Sequence, residues 1–251
     1  VFALVIFLML FWTAGQGQSK QRWQEEQKDY YKKWLEEDVV YIITEEEKQV
    51  FKALNTDDEK VQFIEQFWYR RDLDPRTAHN KIKEEHYRRI AYANERFSAG
   101  WPGWRTDRGK IYIIHGPPDE IEESPSGGAY ERRLHEGGGR TSTYPFERWR
   151  YRHIEGIGSN IELEFVDRDF SGVYRLALSP EEKDAFLFVP GAGFTLAEEL
   201  RLSERSRRPY FAPGATYPMM NYRVQDSPFA RYQTLVDVQR PRQIKYGDLQ
   251  E

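Results

Sequence analysis

The chain contains no cysteine, which excludes disulfides, thiolate metal ligands, a cysteine nucleophile and the acylated cysteine of a lipoprotein together. It also lacks an excess of one charge. Lys and Arg number 37 against 41 Asp and Glu, the net charge is -4, and the two signs are interleaved instead of blocked. A phosphate backbone calls for a basic stripe, so no nucleic-acid partner is expected. Metal-ligand spacing is missing as well. His135-Glu136 has no second histidine one turn later, and His86 lies on an apolar helical face with no acidic or histidine partner one turn away, the setting of a core histidine. No phosphate-binding loop exists either: five residues separate Gly103 from Gly109-Lys110 where four are required, and Ile111 stands where Ser or Thr would hold Mg²⁺. No metal and no cofactor is therefore expected.

Long apolar runs are scarce. Val1 to Trp12 is nearly unbroken, but it is shorter than the roughly 20 residues that span a bilayer as a helix. The small and polar residues Thr13 to Gln18 follow it. Residues 1–18 are thus expected to be a secretory signal peptide or, if uncleaved, an N-terminal anchor that gives the chain its one membrane contact.

What the chain has in quantity is aromatic residues, 15% of the total. In residues 19–100 they recur at helical spacing. Trp23, Gln27, Tyr30/Tyr31 and Trp34/Leu35 predict an amphipathic helix with an aromatic stripe. Val39 to Ile43 reads as an extended segment or as a buried continuation of that helix. Thr44 with Glu47, and Thr56 with Glu59, are capping boxes that open helices to Leu54 and to about Arg71, the second burying Val61, Ile64, Phe67 and Trp68. Asp74-Pro75 stops the second. A third is expected from about Ala78 to Phe97, with Ile82, His86, Ile90, Ala93 and Phe97 on one face.

The segment Gly100 to Asp119 joins this helical region to a strand-rich one. Gly100, Gly103 and Gly109 allow tight turns or close backbone approach, and Pro102 fixes one turn. Trp101 and Trp104 are large enough to pin the loop, and Thr106 and Asp107 are suited to bond the amides of the turn leading to Gly109. Lys110 to His115 reads as a central strand with two apolar faces, ended by Gly116, Pro117 and Pro118. Gly103, Trp104, Thr106 and Asp107 spell Gly-Trp-x-Thr-Asp, and on this motif the chain resembles the bacterial GWxTD-domain proteins. That resemblance implies export and brings no established activity with it.

Residues 122–143, framed by Ser124 to Gly128 and Gly137 to Gly139, are expected to form an exposed, mobile loop. Beyond it, alternation predicts strands over Glu147 to His153, about Ile161 to Phe165, and Gly172 to Leu178. Arginines on the first and glutamates on the second predict cross-strand ion pairs on a solvated face. Asp167 to Gly172 reads as a turn. Ser179-Pro180-Glu181-Glu182 and Thr195 with Glu198 open short helices, residues 205–218 form an irregular arm, and Phe229 to Gln239 reads as a strand. The expected fold is α+β: N-terminal helices packed on an antiparallel sheet of about 4–5 strands, with short C-terminal helices, residues 101–251 forming one domain with the helices.

With no complete catalytic constellation, the expected function is that of a non-catalytic cell-envelope module, exported to the periplasm or beyond. Its expected partner is an envelope protein or glycan, held by aromatic loops within 124–146 and 205–222. The alternative is an envelope hydrolase with His115 and Asp119 as a general-base pair beside the Gly-Pro-Pro turn.

Overall fold

The computed structural model describes residues 25–77, 79–185, 189, 193–195, 198, 200–201 and 228–241. The chain divides into two compact units, the first drawn from Val1–Glu84 with Pro241–Glu251 and the second from Glu85–Arg240.

In the first unit, helix α1 (25–33) widens into a π-helical turn, Trp34–Asp38. Trp34 is fully buried, its ring against Phe51 at 4.9 Å and Phe67 at 5.2 Å. Val39, Ile42 and Ile43 then turn inward, neither strand nor continued helix. Both capping boxes form as the sequence predicts. Thr44 Oγ1 accepts the Glu47 amide and Glu47 accepts the Thr44 amide at the start of α2 (Glu45–Ala53); Thr56 and Glu59 do the same for α3 (Asp57–Tyr69). Of the apolar residues expected inside α3, Ile64, Phe67 and Trp68 are buried and Val61 is exposed. Helix α4 (Lys81–Arg96) carries the chain from the first unit into the second.

In the second unit, the expected central strand over Lys110 to His115 is a helix, α5 (Asp107–His115). The cause is local. Thr106 Oγ1 accepts the Gly109 amide as an N-cap and Asp107 sits in the first turn, so capping outweighs the β preference of Ile111, Ile113 and Ile114. All three isoleucines are buried, and Gly116, at φ +82°, ends the helix.

Four antiparallel strands follow in the order β1 (Glu120–Ser124), β4 (Phe146–Ile154), β5 (Gly158–Val166) and β6 (Arg175–Leu176). The 122–143 segment is more regular than expected. It holds the end of β1 and a two-stranded sheet, β2 (Gly128–Glu131) with β3 (Arg140–Thr143). On one face of the main sheet Trp149, Tyr151, Leu163 and Phe165 are buried, with Phe97 from the end of α4 and Tyr112 from α5 against Trp149 at 5.6 and 6.4 Å. The other face carries Arg148 opposite Glu164 and Arg150 opposite Glu162, as cross-strand pairing predicts. That face is not solvated throughout, however. Phe146, Val166 and Ala177 form a cluster there with Tyr130 and Tyr144, and Arg148 and Glu164 are buried beside it.

The Ser179 box is present and opens a single 3-10 turn, Pro180–Lys183. Thr195 and Glu198 bond each other's amides as their spacing predicts. The segment expected as a strand from Phe229 is helix α6 (Pro228–Val238), whose buried Leu235 and Val238 stand three residues apart on one helical face. Val1 to Trp12 and the 205–222 arm lie outside the described residues. Among the described residues, no helix is long and apolar enough to cross a membrane.

Candidate functional site

Each letter of the signature has a structural task. Gly103 lies so close to α4 that a Cβ would stand 1.8 Å from the Ala93 carbonyl oxygen, and one on Gly109 would stand 1.9 Å from the Gly103 oxygen. Only glycine fits either place. The Gly103 amide donates to Ser98 Oγ at 3.0 Å and the Trp104 amide to Asn94 Oδ1 at 3.0 Å, tying the turn to the end of α4. Trp104 is buried with the Arg105 guanidinium over its ring. Thr106 donates to the Gly103 oxygen at 2.8 Å while capping α5. Asp107 departs from the local role expected of it: Oδ2 accepts the amide of Leu176 in β6 at 2.8 Å. Trp101 departs further. It is 62% exposed instead of packed into the turn.

His115 and Asp119 do not form a pair. His115 Nε2 meets the Val238 carbonyl oxygen at 2.9 Å, and its ring lies near Tyr151. The exposed Asp119 accepts the Arg152 amide at 2.7 Å and faces the Arg152 guanidinium. Gly116 lends its carbonyl to the Tyr151 hydroxyl at 3.0 Å, so the Gly-Pro-Pro turn is bonded to the sheet.

A cluster that sequence reading missed lies on the second face of the sheet. Lys183, with no exposed surface, donates to Glu136 at 2.7 Å and to both oxygens of Glu164 at 3.2 Å. Arg148 adds bonds to Glu164 at 2.9 Å, Glu122 at 2.5 Å and the Tyr130 hydroxyl at 3.0 Å. Burial opposes the charge on Glu164, but Lys183 and Arg148 outweigh it and hold the carboxyl below its ordinary pKa. Burial likewise opposes the charge on Arg148, which Glu164 restores. The cluster joins β4 and β5 to the 134–136 and 180–183 turns. Alternating Arg and Glu signalled Arg148 and Glu164 in the sequence; nothing near Lys183 or Glu136 signalled a partner so far along the chain.

Chemically the cluster is engaged on every side: Lys183 is held by Glu136 and Glu164 and lies over the Tyr130 and Phe146 rings, and Glu164 is met by Lys183, Arg148 and, at 3.9 Å, Arg231, an arrangement that fixes structure. Among the described residues, no group of three or more histidine or acidic side chains is placed to hold a metal ion. Among the aromatic side chains exposed at the surface are Trp101 and Phe170. Phe170 is 66% exposed and held at φ +53° in the Asp167-to-Gly172 turn, where Asp167 accepts the amides of Ser171 and Gly172. This turn meets the loop of Trp101, since a Cβ on Gly172 would lie 3.3 Å from that of Ala99.

No curated protein and no solved structure matches the chain. The GWxTD domain matches residues 14–149, more than half of it. With Gly103, Trp104, Thr106 and Asp107 in place as a clasp between α4, α5 and β6, the chain belongs to the GWxTD-domain family.

Proposed function

We propose that this chain is a non-catalytic interaction module of the cell envelope, docking an envelope protein or glycan through Trp101 and Phe170. The observation that carries the reading is their exposure, 62% and 66%, on two adjoining loops that are each fixed by hydrogen bonds. Exposed rings on rigid loops bind with little ordering cost and are the residue type that dominates recognition surfaces. Export is supported by the apolar run Val1 to Trp12 with its small-residue sequel. The alternative, an envelope hydrolase built on His115 and Asp119, lacks such support because each of the two engages a different partner.

The test is co-sedimentation of the purified chain with isolated envelope fractions. The parent chain sediments with the fraction, and a Trp101→Ala/Phe170→Gly variant with the same melting temperature stays in solution. Protease treatment of the fraction beforehand abolishes capture by a protein and leaves capture by a glycan intact. Equal sedimentation of parent and variant sinks the proposal.

A further inference from the structure

Asp184 follows the 3-10 turn Pro180–Lys183 directly, with its side chain 4% exposed. Neither of its carboxylate oxygens accepts a hydrogen bond. The groups facing it are few. Arg132, from the segment after β2, is the closest cation, with Nε at 3.6 Å. Lys183 beside it is committed to Glu136 and Glu164. Glu136 and Glu181 add like charge, and β3 contributes the backbone of Thr143. A carboxylate that is buried, without a donor and next to two others resists ionisation. Burial is the main cause, and it pushes Asp184 up to about 6 against the pull of Arg132.

The turn that carries Asp184 is clipped to the end of β3 by two backbone bonds. Tyr144 donates to the Lys183 oxygen at 2.8 Å and Ala185 donates to the Ser142 oxygen at 2.7 Å. The clip also supports Phe170, whose ring meets Tyr144 at 6.0 Å, and Arg168, which donates to the Glu182 oxygen at 3.2 Å.

We propose that Asp184 is a proton-operated latch: with a proton on its buried carboxyl the 180–185 turn stays clipped to β3, and losing that proton loosens the clip and the footing of Phe170. The latch stands on the orphaned carboxylate and the two backbone bonds; its consequence for docking alone rests on the function proposed above. The direction follows from linkage. In an opened turn Asp184 meets water and ionises near its ordinary value, so the proton is bound more tightly by the closed form. Closure is favoured at acid pH and loses that support as pH rises through about 6.

Residue-resolved amide exchange of the full chain, corrected for intrinsic rates, tests this. Between about pH 5 and about pH 7.5 the protection of the Tyr144 and Ala185 amides is expected to fall about tenfold, with the central β4–β5 amides unchanged. Asp184→Asn should flatten the response. Equal protection at both pH values overturns the latch. An unchanged response in Asp184→Asn also overturns it. Should that variant fail to fold, a carbon-13 titration of the Asp184 carboxyl in the parent decides: a midpoint near the ordinary value of 3.8 overturns the proposal.

Discussion

The Asp107 carboxylate accepts the amide of Leu176 at 2.8 Å, so the last letter of the signature holds an edge strand 69 residues further on. Asp107→Ala removes that acceptor and the negative charge from the first turn of α5. The expected loss is about 1–3 kcal/mol of unfolding free energy, measured by urea denaturation. Asp107→Asn keeps an acceptor and should lose less. Equal losses would assign the effect to the helix charge and detach β6 from the signature.

Gly103→Ala drives a Cβ into the Ala93 carbonyl, a backbone atom that cannot rotate away. Separation of the turn from α4 follows, at an expected cost of about 1–3 kcal/mol or more. Gly100 makes the comparison. It is at φ +73° but faces open space, so Gly100→Ala should cost only the left-handed strain, about 1–2 kcal/mol. Matching melting temperatures for the two variants would remove close approach as the reason for a glycine at 103.

How much of this was legible in the sequence depends on the range of the interactions. Thr44, Thr56 and Ser179 each announce a helical start through a partner three residues on, and α2, α3 and the 3-10 turn begin there; Thr195 and Glu198 form the expected amide bonds, while the helix expected beyond them lies largely outside the described residues. The cross-strand Arg–Glu pairs of β4 and β5 could be read from alternating Arg and Glu because the partners stand directly opposite. Lys110 to His115 misled because Ile111, Ile113 and Ile114 favour a strand by type, while the Thr106 cap and the close fit of Gly109 to Gly103 decide for a helix. The Trp101 and Trp104 side chains look alike in sequence; only the packing of the 3-10 turn Gly103–Arg105 buries one and leaves the other out. Lys183 was illegible because its partners lie 19 and 47 residues away.

Lys183→Met keeps the apolar stem and deletes the charge that Glu136 and Glu164 share. Two buried carboxylates then face each other with Arg148 as the main remaining compensation. Breaking a buried ion pair from one side costs about 3–5 kcal/mol, and a shift of that size in guanidinium denaturation is expected. A neutral outcome would show that the cluster is dispensable and that the apolar residues around Phe146 hold the second face alone.

Phe170→Gly separates stability from recognition. Phenylalanine at φ +53° is strained by about 1–2 kcal/mol, and its exposed ring buries little when folded. Glycine relieves the strain but adds freedom to the unfolded chain, so the melting temperature by calorimetry should be no lower than the parent's. A clear drop would mean that the ring against Tyr144 stabilises the turn, and the residue would lose its standing as a surface placed for a partner.

Glu47 gives the first unit a pH dependence of opposite sign to that of Asp184. Burial tends to raise its pKa, but the bonds from Arg71 at 2.7 Å and from the Thr44 amide at 3.1 Å outweigh burial and hold it below the ordinary carboxylate value. Arg71 is itself fixed by the Phe67 and Ile42 carbonyls, so the pair links α2, α3 and the turn before α2. A lowered folded pKa means that the ionised form is bound more tightly in the native state. Its stabilisation is complete above the unfolded value and fades as pH falls through the folded one. Glu47→Gln should therefore cost about 1–3 kcal/mol at neutral pH and progressively less as pH drops below the ordinary carboxylate range. Denaturation of parent and variant across that range checks it. A cost that does not shrink on acidification would mean that shape and the Thr44 capping bond, not charge, set the contribution of Glu47.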